Sequence, residues 1–139
     1  MQFNGHHYIL VNANRATWWD ANDWCESQGG HLVTINSARE QDFVEKMIAQ
    51  YGNKNNYWTG GYKDDAGIWG WITGENFVFT CWAPEEPNNF RNQENFLAIY
   101  GNTHPHFGGW NDIRGDGFSR EGDTFFGENN FGFICEWDY

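Results

Sequence analysis

The sequence predicts an α+β domain. Two capped, amphipathic helices fall in its first third, short strand-like runs crowd the remainder, and the two kinds of element do not alternate. Its 139 residues fit one ordinary domain, 1–139, with length enough to bury a core.

Thr17 is followed by Asp20 in a capping-box pattern, and that stretch runs out at Gly29-Gly30. Between them Trp18, Ala21 and Cys25 share one face at helical spacing. Ser37 and Glu40 repeat the pattern and open a second helix, which Gly52 closes. Phe43, Val44, Met47, Ile48 and Tyr51 form its apolar stripe. Beyond Gly52 the texture changes, and Gly and Asn separate short runs of aromatic and branched residues. Tyr57 to Thr59, Trp69 to Ile72, Asn76 to Thr80, Asn95 to Tyr100 and Phe131 to Cys135 read as strands, as does Tyr8 to Val11 nearer the start. Trp18, Trp19, Trp24, Trp58, Trp69 and Trp71 read as core. Two long loops remain, at about 82–95 and 114–130, and loops of that length in a compact domain are usually functional.

Charge excludes several partners. Eight Lys and Arg stand against nineteen Asp and Glu, a formal net charge of −11. Phosphate binding needs clustered cations, so no nucleic-acid partner is expected, and no polybasic membrane contact either. The longest apolar run, Tyr8 to Val11, is far too short for a transmembrane helix, and the opening residues lack the basic start of a signal peptide. A surplus of carboxylates does suit a chain that holds a hard cation in oxygen ligands. Twenty-seven aromatic residues (nine Trp, six Tyr, twelve Phe) exclude a disordered acidic tail.

Three cysteines allow at most one internal disulfide. A bridge from Cys25 to Cys135 would close a loop of about 110 residues, worth about 4–5 kcal/mol in the chain-entropy model. Three buried thiols acting as small apolar residues fit the spacing equally well.

The segment Trp82-Ala83-Pro84-Glu85-Glu86-Pro87-Asn88-Asn89 is followed by Glu94-Asn95 and later by Trp110-Asn111-Asp112. Each stretch pairs a carboxylate with a carboxamide. Ca²⁺ takes about six to eight such oxygens at about 2.3–2.6 Å. Glu86, Asn88, Glu94, Asn111 and Asp112 would supply five side chains. On composition alone, solvated turns account for these residues as well.

The order of the motifs carries a resemblance. Cys25 in a Trp-rich helix, Gly30-His31-Leu32-Val33, Trp58-Thr59-Gly60, Trp71-Ile72-Thr73-Gly74, Glu86-Pro87-Asn88, Trp110-Asn111-Asp112 and Ile134-Cys135-Glu136 follow one another as in the C-type lectin-like domain. The chain resembles that family over about residues 6–138. The resemblance implies two helices flanking short antiparallel sheets, with a long Ca²⁺-binding loop region. It also implies a Cys25–Cys135 disulfide, which leaves Cys81 a free thiol, and a cis bond before Pro87. The implied Ca²⁺ ligands are Glu86, Asn88, Glu94, Asn111 and Asp112.

In that family the ion is itself the sugar-binding group: two neighbouring hydroxyls coordinate it and bond to its acid and amide ligands. Acid–amide pairs are needed because a carboxylate only accepts, whereas an amide NH₂ donates. The Glu86/Asn88 order resembles the version selecting mannose, glucose, N-acetylglucosamine or fucose through vicinal equatorial hydroxyls. Phe90 and Arg91, between Asn88 and Glu94, are the candidates for contact with the sugar's flank. The implied protein is a non-catalytic binding module, secreted or cell-surface, since disulfides persist in oxidising compartments. Its partner is a glycan, and weak single sites imply a larger or multivalent protein.

Two other readings compete with this one. Members that bind a protein or another non-sugar ligand commonly lose the five ligand residues, which this chain keeps. A glycosidase needs a separated carboxylate pair, and Glu85 and Glu86 are adjacent. The chain also departs from the family. Phe96 and Gly115 stand where a second disulfide is usual, as though an aromatic side chain replaced the bridge. Lys63, Gly67, Asn89 and Asn95 stand where acidic ligands of an auxiliary Ca²⁺ site are expected. Residues 115–130, with Phe118, Phe125 and Phe126, look like an insertion. Arg114-Gly115-Asp116 and His104-Pro105-His106 read as chance loop sequences.

Overall fold

A computed structural model describes residues 1–117 and 130–138. In chain order these residues form β1 (Gln2–Phe3), β2 (His6–Val11), α1 (Trp18–Ser27), β3 (His31–Leu32), α2 (Ala38–Tyr51), β4 (Asn56–Lys63), β5 (Trp69–Trp71), β6 (Phe96–Tyr100), β7 (Trp110–Ile113) and β8 (Phe131–Trp137). The strands join in a single sheet ordered β1-β2-β8-β4-β6-β7, with β3 on β8 and β5 on β4. Every pairing is antiparallel except β4 with β8. Residues 118–129 of the insertion, with Phe118, Phe125 and Phe126, lie outside the described residues.

Both helices start where the caps place them. The Thr17 hydroxyl accepts from Asp20 N at 3.0 Å, and Ser37 accepts from Glu40 N at 3.1 Å. Helix α1 ends with Gly29 at φ +82°, left-handed backbone that glycine takes without steric cost. Its Cys25 is fully buried and bonded to Cys135 of β8, tying the first helix to the last strand. Of the two cysteine arrangements that spacing leaves open, the bridge is the one adopted.

The core has two halves. Val44, Met47 and Ile48 of α2 pack with Val33, Ile35, Tyr57, Trp71, Leu97, Ile99, Trp110 and Ile134 on one side. Trp18, Ala21 and Cys25 of α1 pack with Leu32, Trp58, Ala98, Ile113, Phe131 and Phe133 on the other.

Several expectations fail here. Trp19 and Trp24 are 51% and 40% exposed rather than core, because they flank the buried face of α1. Tyr51 leaves the stripe of α2 at its last turn and is exposed, while Phe43 is only half-buried. Two polar residues take that helix's inner face instead. Glu40 accepts from the Tyr8 hydroxyl at 2.6 Å and from Asn36 N at 2.9 Å. Gln41 accepts from Trp110 Nε1 at 2.9 Å and donates to Gly108 O at 2.6 Å. Buried polar groups are tolerated when so paired.

Asn76 to Thr80 is not a strand. Phe77 lies 4.9 Å from Trp71 and 6.0 Å from Trp110, and Phe79 lies 5.9 Å from Trp110, centroid to centroid. Alternation there serves ring packing rather than a ladder, and Val78 between them is 80% exposed. Among the described residues, ladder pairing resumes only beyond the segment, as an isolated bridge from Trp82 to Trp110. Strand β7 was legible as a motif and not as a strand, and β1 and β3 are too short to announce themselves.

Phe96 and Gly115 stand against one another. The Phe96 ring packs 4.5 Å from Trp18 and 5.2 Å from Trp19, and a Cβ on Gly115 would approach Phe96 to 2.9 Å and overlap Trp19. Aromatic packing occupies the place where the family usually has a disulfide.

Cys81 is a free thiol, half-buried, and burial raises its pKa, with the charges of Glu45 and Asp42 adding to the rise. The thiolate is the nucleophile, so Cys81 should alkylate more slowly than a free cysteine peptide at pH 8. Equal rates in a timed iodoacetamide reaction would contradict this.

Candidate functional site

The sheet carries two of the five candidate ligands, and a third stands two residues before one of its strands. Strands β6 and β7 pair antiparallel, Leu97 opposite Asp112 and Ala98 opposite Asn111, and Glu94 leads directly into β6. Glu94, Asn111 and Asp112 are buried, at 2%, 7% and 0% exposure. Over them lies the loop from Pro84 to Gln93, with a short 3-10 turn at Phe90–Asn92. It supplies Glu86, half-buried, and Asn88, exposed. The site therefore has a buried floor and an accessible rim.

Buried carboxylates hold the loop by its backbone. Asp112 Oδ1 accepts from Asn88 N at 3.1 Å, and Oδ2 accepts from Asn89 N at 2.7 Å. Glu94 Oε1 accepts from Phe90 N at 3.1 Å. Three successive N–H groups thus point at two carboxylates, which offsets part of the cost of burying charge. The Glu86–Pro87 peptide bond is cis.

Glu85, Asn89, Arg91 and Asn92 all have left-handed backbone, with φ between 48° and 70°. Such residues cost about 1–3 kcal/mol each and persist where surrounding structure over-determines them. Asn89 helps to hold them: its Oδ1 accepts from Glu94 N at 3.4 Å and its Nδ2 donates to Asn92 Oδ1 at 3.1 Å. Sequence reasoning missed this role. The signal was an Asn–Asn pair after proline, since Asn is the side chain that best tolerates left-handed turns.

The donor set fits a hard cation. Every side-chain candidate offers oxygen, and the Oδ1 of Asn111 is buried with no hydrogen-bond partner among the described residues. An orphaned buried acceptor costs about 1–3 kcal/mol, and a cation would relieve that cost. The carboxylate oxygens of Asp112 that accept backbone N–H bonds each keep a further lone pair. The carboxylates of Glu86, Glu94 and Asp112 do not gather within 4.8 Å of one another. Those of Glu94 and Asp112 are linked instead through the backbone of residues 88–90. Phe90 and Arg91 sit together at the loop, the Arg91 guanidinium 5.3 Å from the centre of the Phe90 ring.

The neighbouring loop sequences have structural roles of their own. Arg114 pairs with Asp116 at 2.6 Å inside one turn, which turns that tripeptide upon itself. The His104 ring stacks on Tyr100 at 3.8 Å, and burial, with the nearby His106, lowers its pKa and favours the neutral form.

Comparison with known proteins agrees with this architecture. Residues 14–119 match the family model described as the lectin C-type domain. The chain is 32% identical over 114 residues to human C-type lectin domain family 17, member A, covering 81% of this chain and 28% of that protein. It is 36% identical over 114 residues to human C-type mannose receptor 2, covering 79% of this chain and 7% of the receptor. The chain thus spans less than half the length of the curated relatives it matches. Among solved structures, SPL-1 in complex with GlcNAc superposes with a TM-score of 0.78 at 28% identity, covering 99% of this chain and 90% of that one. No helix among the described residues is long and apolar enough to cross a membrane. From the family match, the motif order and the shared architecture, the chain belongs to the C-type lectin domain family, a family of non-enzymatic binding domains.

Proposed function

We propose that residues 1–139 form one carbohydrate-recognition domain that binds sugar through a Ca²⁺ ion held by Glu86, Asn88, Glu94, Asn111 and Asp112. The observation that carries this reading is the buried Oδ1 of Asn111, without a hydrogen-bond partner among the described residues, beside an Asp112 carboxylate that grips the backbone of Asn88 and Asn89. Oxygen-only donors of this kind suit Ca²⁺ better than a softer ion. When bound, the ion supplies coordination to two vicinal sugar hydroxyls. Glu86 accepts and Asn88 donates at the rim, so the pair favours equatorial hydroxyls of the mannose, glucose, N-acetylglucosamine or fucose type. Phe90 and Arg91 flank the bound ring.

One monosaccharide site buries little surface, so its affinity is about millimolar, about −4 kcal/mol. The domain then works in several copies or within a larger protein, where linkage raises avidity. The Cys25–Cys135 disulfide fits an extracellular or cell-surface setting, and the millimolar Ca²⁺ found there would keep a weak site filled.

Calorimetry with mannose, fucose and galactose, with and without chelator, tests the proposal. An axial 4-hydroxyl meets the Glu86/Asn88 pair at the wrong angle, and a polar group left unpaired costs about 1–3 kcal/mol. Mannose, whose 3- and 4-hydroxyls are both equatorial, should therefore bind roughly tenfold to a hundredfold tighter than galactose. The double variant Glu86→Gln, Asn88→Asp should shift preference toward galactose. Tighter binding of galactose by the wild type would refute the sugar class, and binding unmoved by chelator would refute the metal.

A further inference from the structure

A second polar cluster stands apart from the long loop, at the end where the first and last strands meet. Strand β8 runs between β2 and β3, with Tyr8 opposite Glu136 on one side and His31 opposite Glu136 on the other. His6, two residues before Tyr8, and Asp138, two residues after Glu136, fall on that same face. Nδ1 of His6 lies 2.5 Å from Glu136 Oε2 and 3.1 Å from Asp138 Oδ1. Among the described residues this is the one group of three His, Cys, Asp or Glu ligand atoms all within 4.8 Å of one another.

The group has the features of a built site. Glu136 is 1% exposed, and its other oxygen accepts from Thr34 N at 3.1 Å, so its carboxylate is held from behind. His6 and Asp138 are partly exposed and give an ion a way in. His31 has Nδ1 2.7 Å from Leu32 O and Nε2 2.9 Å from Asp138 Oδ2. Both of its nitrogens face acceptors, the arrangement of an imidazolium that donates twice and fixes Asp138 in place. At His6, a single ring nitrogen faces two carboxylates that one N–H cannot satisfy fully. A cation in that proton's place would meet all three.

We propose that His6 Nδ1, Glu136 Oε2 and Asp138 Oδ1 bind a divalent transition ion of the Zn²⁺ class, with His31 as a positioning residue for Asp138. Imidazole nitrogen selects such an ion over Ca²⁺, which prefers oxygen alone. Zn–N and Zn–O bonds of about 2.0–2.2 Å put tetrahedral ligands about 3.3–3.5 Å apart. Asp138 is already near that spacing from His6, and the half-exposed His6 ring needs to withdraw by about 1 Å from Glu136. Three protein ligands leave a fourth position for water.

The test is Zn²⁺ titration by calorimetry of the full chain in saturating Ca²⁺, which keeps the proposed long-loop site out of the measurement. One Zn²⁺ per chain is expected. His6→Ala and, separately, Asp138→Asn should each weaken it at least tenfold. His31→Ala should weaken it tenfold to a hundredfold, as loss of an orienting partner does, and His31→Gln should restore part through its remaining donor. Asp112→Ala, and the double variant His104→Ala with His106→Ala, should leave Zn²⁺ binding unchanged. Absence of Zn²⁺ binding up to millimolar concentration, binding unmoved by His6→Ala, or loss of binding in the His104/His106 variant would each overturn the proposal. None of these outcomes depends on whether the domain binds sugar.

Discussion

Asp112→Ala is expected to abolish sugar binding and the thermal stabilisation by Ca²⁺ together. A ligand that binds only the native state stabilises it by RT ln(1 + [L]/Kd), about 2.7 kcal/mol at a hundredfold excess over Kd. For a domain of this length that is on the order of 10 °C in melting temperature. The wild type should show the difference between millimolar Ca²⁺ and excess chelator, and the variant should not. Asp112 also accepts from Asn88 N and Asn89 N, so Ala leaves two backbone donors without partners and lowers the chelator-state melting temperature as well. Asp112→Asn separates the two effects. It keeps an acceptor for the loop and removes the charge, so it should melt closer to the wild type in chelator yet gain little from Ca²⁺. A wild-type melt that is the same in Ca²⁺ and in chelator would remove the metal from the proposed function.

Loss of the terminal disulfide should cost more. Cys25 and Cys135 are separated by 110 residues and both are fully buried. Cross-linking so long a loop restricts the unfolded chain by about 4–5 kcal/mol in the entropy model. Typical domains have about 5–15 kcal/mol in all, so the double variant Cys25→Ala, Cys135→Ala should be marginal at room temperature. Urea unfolding followed by tryptophan fluorescence would measure the loss. Cys81→Ala, removing a half-buried thiol outside the bridge, should cost far less. A double variant within about 1 kcal/mol of the wild type would contradict the chain-entropy account here.

What was legible in the sequence follows from the range of the forces involved. Both helices were readable because caps and 3.6-residue stripes act within a few positions. Thr17, Ser37, Gly29 and Gly52 mark ends that the backbone obeys. Residue by residue the tryptophans were less readable. A Trp on a helix is core or surface according to which face it occupies, and Trp18 is buried where its neighbour Trp19 is not. The stripe of α2 holds at Val44, Met47 and Ile48 and fails at Tyr51 for the same reason. Glu40 and Gln41 lie on its buried face because Tyr8, Asn36 and Trp110 meet them with hydrogen bonds from distant parts of the chain.

The candidate site divides along the same line. Its residue types, Glu86, Asn88, Glu94, Asn111 and Asp112, were named from motif order, because oxygen ligands and their spacing are written locally. Their arrangement was not. Asn111 and Asp112 sit on a strand, pairing with β6, and only that pairing brings Asp112 beneath the backbone of Asn88 and Asn89, more than twenty residues earlier. Asn89 emerged as a support for the loop only once its side chain was seen to reach Glu94 and Asn92. The histidine and carboxylate cluster is the extreme case. His6 and Glu136 are 130 residues apart and meet because β2 and β8 pair in one register. The sequence by itself determined the helices, the α+β class, the family and the chemistry offered by each loop, since these depend on neighbours along the chain. Tertiary structure decided which aromatic residues are buried, that Asn76 to Thr80 packs by its rings rather than by a ladder, and which carboxylate faces which donor. Those outcomes depend on strand pairing between distant segments, whose register no local pattern records.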